Sequence, residues 1–445
     1  MDDTAWLSYP SQLAQLTNVG LNAVSRMQKT RVHTFEVPSG VRKQFGWPSH
    51  IIVTFPALIK DCWSCEATDP RDKIYALYDI AHPGSSKTLA TWPKVDYREP
   101  WQSVYTKVAR WMYETGRPDA AQTIYYAGRS LQKSTDIPSW VPDWRHAADQ
   151  VSTAHWQWVR AVQRYPPTAR FMDLKSRRRE APGLTPYKIT DAANRLRNLW
   201  RPGMELSAIM VDKIVYRNTA PIPDADNFKS VAGAMRDLIR ADLQYLEKHV
   251  PYYMTGERAE EAYAATLIAN TNNEGIIATK DFEETFSAYR EWVYTGCEGP
   301  VPAYAWVVEE GLEAFSTNAF CVTAHGFMGL VPGMTKVGDY VAVAPGFRLP
   351  VTLRRAKGCP HPYYELLGSA YVHRLMRGRI WNLLVEFKCK YQQGSEDSVP
   401  KAPLRANVLA GAARLEDKCE GFPFNPKADY EHVVKVIGKR KIVLV

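Results

Sequence analysis

Three sets of residues have types and spacings that could do chemistry. Asp69-Pro70-Arg71-Asp72 puts two carboxylates and a guanidinium within four positions, a pattern that could work as a general acid and base or grip a phosphate. Cys62 and Cys65 form a CxxC, a spacing shared by zinc ribbons and thiol redox pairs. His325 and His373 fall in one strand-rich stretch and could converge, and Cys359-Pro360-His361 offers a further thiol and imidazole.

Each set also has a plainer reading. Asp69 is a good helix N-cap, Pro70 suits the first helical position, and Asp72 places charge in the first turn, so capping explains all three. Arg71 is what capping leaves unexplained, and Asp143 is the candidate partner for its fork; the pair is expected to dock the loop around Asp143 onto the helix. A zinc ribbon needs a second CxxC or a paired His motif, and none follows. A thioredoxin-type pair opens a helix after a strand, whereas Cys62 and Cys65 fall inside an apparent helix over 51 to 66. Two histidines without a nucleophile or acid partner are weak ground for catalysis. HExxH, GxSxG and GxxxxGK[ST] do not occur. Gly326-Phe327-Met328-Gly329 reads as a strand-to-turn transition rather than a phosphate cradle. No cofactor or metal is expected.

The elements that must position these residues follow from periodicity. Ile74, Leu77, Tyr78 and Ala81 repeat at helical spacing over Ala67 to His82, and Val104, Val108, Trp111 and Met112 do so over Glu99 to Gly116. Thr123 to Ala127 reads as a strand, and Ile137 to Trp144 as a rigid loop carrying Trp140 and Trp144. Leu206 to Tyr216 reads as a strand, and residues 226 to 249, 257 to 270 and 281 to 296 as helices. Strands are then expected at Asn318 to Ala324, Asp339 to Ala344, Leu349 to Arg355 and Tyr363 to Val372, at a spacing that suggests a meander or small barrel. The expected fold class is α+β, with a helical N-terminal portion and a β-rich C-terminal portion.

A chain of 445 residues with 45% apolar and 23% charged residues can bury more than one core. Its 56 Lys and Arg against 47 Asp and Glu leave a formal charge of +9, an ordinary solubility margin that makes nucleic acid a poor candidate partner. Seven cysteines at irregular spacing argue against a disulfide framework and for a reducing compartment. No run of apolar residues is long enough to span a membrane and the acidic start is unlike a signal peptide, so the cytoplasm is the expected location.

Read in order, the segments resemble the heterokaryon-incompatibility (HET) family of filamentous fungi. Ala67-Thr68-Asp69-Pro70-Arg71-Asp72-Lys73-Ile74-Tyr75-Ala76-Leu77 is similar to the family's ATDPRDKIYALL stretch. Val95-Asp96-Tyr97, with the helix after it, and Pro138-Ser139-Trp140-Val141-Pro142-Asp143-Trp144, similar to the PSWVPDW loop, come next. Thr323, Gly326 to Pro332 with Gly329, Gly338-Asp339, Pro350, Leu353-Arg354 and Tyr371-Val372-His373 follow the order of the family's closing region. Relatives have small and acidic residues after that histidine, whereas this chain has Arg374, Arg377 and Arg379. Relatives also carry a WIDAICINQ-like, TIR-like segment before the first motif. Only 66 residues precede Ala67 and they contain no such motif, so the HET core is expected to be absent or truncated.

The expected organisation is 1–66 as a helical remnant, 67–164 as the helical and loop region, 165–204 as a basic, Pro-rich linker, 205–385 as helices followed by antiparallel strands, and 386–445 as an extension. Within it, Asp69, Pro70, Arg71, Asp72, Lys73, Tyr75, Trp140, Pro142, Asp143, Trp144, Gly329, Pro332, Gly338, Asp339, Arg354, Tyr371 and His373 are family-motif positions with a structural role. The resemblance implies non-self recognition that triggers cell death when incompatible fungal cells fuse, here through a non-catalytic interaction or regulatory module bound to other proteins. The alternatives are an accessory enzyme of fungal specialised metabolism, or a NAD-cleaving TIR-like effector if the start is wrongly assigned. Oligomeric state is left open.

Overall fold

The computed structural model describes residues 55–63, 65–78, 92–114, 136–145, 187–190, 202–218, 228–253, 256–267, 282–296, 318–344, 349–357, 363–376 and 440–444, with a few single positions between them. The chain divides into two compact units, one made of Met1–Thr123 with Asp143–Asp149 and the other of Ile124–Pro142 with Gln150–Val445. One break between the units falls inside the Trp-bearing loop, between Pro142 and Asp143.

In the first unit α1 spans Phe55–Asp61, α2 Asp72–Tyr75 and α3 Trp101–Glu114. Val104, Tyr105, Val108, Ala109, Met112 and Tyr113 form the buried face of α3, the three-and-four spacing of a helix packed on one side. Its aromatic neighbours meet edge to face or tilted: Phe55 lies 5.3 Å from Tyr78, and Trp92 lies 4.9 Å from Phe55 and 4.8 Å from Trp111, between ring centroids.

Three expectations for this stretch are corrected. Within the expected helix over Ala67 to His82, residues 67–71 are not helical, α2 covers only Asp72–Tyr75, Ala76 and Leu77 form a turn, and Tyr78 is helical again. Asp72 and Lys73 donate to the carbonyls of Asp69 and Pro70, and Leu77 to that of Ile74, in tight i to i+3 bonds; residues 79–82 lie outside the described residues. Cys62 and Cys65 lie outside any helix, in the turn that follows α1. Ile124 and Ala127, three apart and fully buried, are helical rather than part of a strand; the run of β-formers around them concealed a helical period.

The second unit is built on β2, Gly203–Arg217, a 15-residue strand. β3 (Asn318–Thr323), β4 (Met328–Pro332), β5 (Tyr340–Val343), β6 (Val351–Arg355), β7 (Tyr363–Ser369), β8 (Tyr371–Val372) and β9 (Arg440–Leu444) join it, with β1 (Tyr187–Thr190) paired to its first residues. The strand order is β5-β6-β7-β9-β2-β3-β4-β8, and β2 also pairs with β5, so the ladder β2-β5-β6-β7-β9 closes on itself. The register of β2 shifts between Met210 and Asp212 and again between Ile214 and Tyr216; such bulges let one strand bend from one partner set to another. Gly329 lies where β4 meets β8, and a Cβ there would stand 2.4 Å from the carbonyl oxygen of Tyr371.

Three helices, α4 (Phe228–His249), α5 (Ala259–Leu267) and α6 (Phe282–Tyr294), pack together, with α5 against β4. Every residue of β3 is buried, as expected of a strand covered on both faces. The four expected C-terminal strands are present. β4 starts inside the Gly326 to Gly329 stretch expected to be a strand-to-turn transition, β1 lies in the stretch expected to be a linker, and β9 in the expected extension. Of the expected helical remnant over 1–66, residues 1–54 lie outside the described residues and α1 falls in the rest; the basic run Lys175 to Arg179, Cys359-Pro360-His361, Arg377 and Arg379 also lie outside them.

Candidate functional site

In the first unit, the charges of the Asp69 to Tyr75 motif are turned onto neighbouring chain. Asp69 accepts from the Arg71 backbone N–H at 2.9 Å and from its guanidinium at 2.6 to 3.2 Å, and that fork holds the carboxyl of Asp69 below its usual range. Arg71 also donates to the carbonyls of Tyr97 and Glu99, its guanidinium lying over the Tyr97 ring. Asp72 accepts from the Tyr97 hydroxyl at 2.5 Å, and Tyr105 donates to the Pro70 carbonyl at 2.7 Å. Lys73 donates to the carbonyls of Trp63 and Cys65. Tyr75 meets the backbone of Asp96.

The expected pairing of Arg71 with Asp143 is not formed. Asp143, buried, accepts from the Arg145 guanidinium at 2.8 and 2.9 Å, and Arg145 stacks 3.8 Å over the Trp101 ring. Trp144 packs on Tyr105 at 4.9 Å. Both Asp residues found an arginine two positions away, and a local pair orders less chain than a distant one. In the second unit Trp140 is fully buried and donates from Nε1 to the Pro202 carbonyl at 3.1 Å, while Ser139 accepts from the Leu366 N–H at 2.9 Å. Val141 donates to Pro138 one residue before Pro142, closing the turn.

The second unit gathers its charges from far apart in sequence. Asp339 accepts from Arg354 Nε at 3.0 Å and Nη2 at 2.8 Å, and from the Lys336 N–H at 2.7 Å. Arg354 also donates to the Met334 carbonyl at 2.8 Å, so the two residues clamp the β4–β5 loop. Pro332 accepts from the Thr335 N–H at the start of that loop; at its end Gly338, with φ +100°, turns its N–H to the Ile214 carbonyl.

His325 and His373 do not converge: each has its own carboxylate. Asp212 receives the His325 backbone N–H at 2.7 Å and lies 3.0 Å from its Nδ1. His373, fully buried, meets the Tyr371 hydroxyl at Nδ1, 3.1 Å, and Glu257 at Nε2, 3.3 Å. Glu257 also holds Arg374, a left-handed residue at φ 61°, and Tyr253 donates to the His373 carbonyl at 2.8 Å. Hydroxyl, imidazole and carboxylate stand in a row, with the imidazole fully buried. Its geometry is that of a tie between the end of β8 and the segment before α5.

The polar centre that the sequence did not announce is Asp242 on α4. Its side chain is fully buried and accepts from the hydroxyls of Tyr216 and Tyr263 at 2.8 and 2.9 Å and from Asn218 Nδ2 at 3.1 Å. Burial pushes its carboxyl up to about 7, although the three donors oppose the shift. Burial, followed by the Asp242 charge, also raises the Tyr216 phenol. The available signal was a lone carboxylate on an apolar stripe, since Leu238, Ile239 and Leu246 share its face. Cys321 on β3 is also buried, its thiol pushed up to about 12. Among the described residues, no three His, Cys, Asp or Glu side chains come together to hold a metal ion, and no helix is long and apolar enough to cross a membrane.

Residues 305–385 match the family model of the Het-6 beta-barrel domain. Over 356 residues the chain is 24% identical to heterokaryon incompatibility protein 6, OR allele, of Neurospora crassa, an alignment covering 70% of this chain and 49% of that protein. The chain thus spans about half the length of the curated relative it matches. No solved structure matches. The resemblance to heterokaryon-incompatibility proteins therefore stands on two findings, a match of residues 305–385 to the Het-6 beta-barrel domain and a similarity to heterokaryon incompatibility protein 6 over about half of that protein's length.

Proposed function

We propose that this chain acts in fungal non-self recognition as a non-catalytic interaction or regulatory module that works in the cytoplasm by contacting other proteins. The observation that carries the reading is the similarity to a protein named for heterokaryon incompatibility, together with the Het-6 beta-barrel match. Its non-catalytic part is supported by the motif side chains: Asp69, Arg71, Asp143, Asp339, Arg354 and His373 each hold a neighbouring residue of the same chain. Groups spent in this way brace a surface rather than transform a substrate.

Induced expression in a filamentous fungal host tests the reading. Growth should continue when the chain is expressed alone, and cell death should follow only on fusion with a strain of different incompatibility type. Rapid death on induction alone, or release of nicotinamide from NAD by the purified protein, overturns the non-catalytic reading.

A further inference from the structure

We propose that Cys62 and Cys65 are a redox modification site, a vicinal dithiol that closes to an intramolecular disulfide under oxidising conditions and reopens on reduction. The turn after α1 supplies the geometry. Cys62 donates its N–H to the Leu58 carbonyl at 2.8 Å, ending the helix, and Cys65 donates to the Cys62 carbonyl at 3.0 Å. An i to i+3 bond of this kind belongs to a β-turn, whose end Cα atoms lie within about 7 Å. A disulfide needs a Cα separation of roughly 4.4 to 6.8 Å, so the turn already brings the two cysteines close to bonding range.

Neither cysteine is in a disulfide and both residues are partly exposed, whereas Cys321 is buried within β3. Between them Trp63 is buried, and Lys73 holds the carbonyls of Trp63 and Cys65, so the turn is anchored on each side while the cysteines keep access to solvent. With two residues between the thiols, the second step competes against dilute external thiols at a high effective concentration. Two sulfurs alone do not make a metal site, and among the described residues no third ligand joins them.

The exchange balances with a disulfide oxidant such as glutathione disulfide. The thiolate of one cysteine attacks a glutathione sulfur and expels one glutathione thiolate. The other cysteine then attacks the protein sulfur of the mixed disulfide, forming the Cys62–Cys65 bond and expelling the second glutathione. Two protons leave the cysteines, two electrons pass to the oxidant, and two glutathione molecules are produced.

The full chain, equilibrated in glutathione buffers from reducing to oxidising, acid-quenched, alkylated and digested, provides the test by peptide mass spectrometry. The peptide carrying both cysteines should lose both alkyl groups as the buffer becomes oxidising, appear as a form two hydrogens lighter than the dithiol, and recover both on adding dithiothreitol. Alkylation of the Cys321 peptide should stay constant. Cys62→Ser and Cys65→Ser should each stop at a single glutathione adduct on the remaining cysteine. Full alkylation at the most oxidising buffer, a stable glutathione adduct in the unsubstituted chain, or a bond from either cysteine to any of the other five overturns the proposal.

Discussion

Two aspartate–arginine forks in this protein have the same chemistry and different surroundings. In the first unit Asp69 and Arg71 are two residues apart, their side chains 29% and 23% exposed. In the second, Asp339 and Arg354 are fifteen apart, and the carboxylate is only 6% exposed. The first fork shapes a loop that is already local and can exchange its partners for water. In the second the carboxylate is buried against a loop whose conformation depends on it, so removing Arg354, itself 25% exposed, leaves a buried charge stranded. Asp242 lies at the far end of this series, a buried carboxyl with three neutral donors.

Substitutions that widen or collapse this difference give its tests. The largest expected effect concerns Asp242. Its carboxyl, ordinarily near 3.8, sits at about 7 in the folded state. Below the unfolded value both states are protonated and the stability contribution is complete. As pH rises from about 4 through 7 the unfolded chain ionises first and that contribution is lost, on the order of 4 kcal/mol in all. Urea unfolding at pH 4.5 and 7.5 should show this decline, and Asp242→Asn should flatten it; an unchanged difference between the two pH values would refute the assignment.

Next comes Arg354→Ala, which strands Asp339 and frees the Met334 carbonyl, with an expected loss of about 3 kcal/mol by urea unfolding. Gly329→Ala follows at about 2 kcal/mol, because its Cβ would meet the backbone oxygen of Tyr371 rather than a movable side chain. The smallest effect is expected of Asp69→Asn, which keeps an acceptor for the Arg71 N–H; the melting temperature of the chain should stay within the scatter of replicate scans. A drop as large as that of Arg354→Ala would erase the distinction between the two forks.

How much of this was legible in the sequence follows the same division. The helices Trp101–Glu114, Phe228–His249 and Phe282–Tyr294 are legible because their apolar residues keep a 3.6 period over several turns, whereas Ala259–Leu267 is buried on most sides and carries no such stripe. Strands β3, β5, β6 and β7 were visible as short apolar runs between Gly and Pro. Asp69, not Asp143, partners Arg71, and a residue that completes a fork two positions away carries no periodic signal. The pairing of Asp339 with Arg354 is not legible from either residue, since the two lie fifteen positions apart on strands whose register is set by bulges and loop lengths. Asp242 was missed for a related reason. A carboxylate on an apolar stripe becomes informative only when the tyrosines of β2 and α5 are known to face it.

The long strand β2 also dictates a timetable. Its first residues pair with β9, Met204 opposite Leu444, while its last pair with β3, Ile214 opposite Thr323. During synthesis at roughly 5 to 20 residues per second, the stretch from Met204 to Leu444 takes on the order of 10 to 50 seconds to emerge, and until then one edge of β2 has no β9 to pair with. An unpaired edge of apolar strand is a template for the wrong neighbour. Newly made chains are therefore expected to depend on chaperones, and to aggregate when production outpaces them, for a period set by the order of the strands rather than by the stability of the finished barrel.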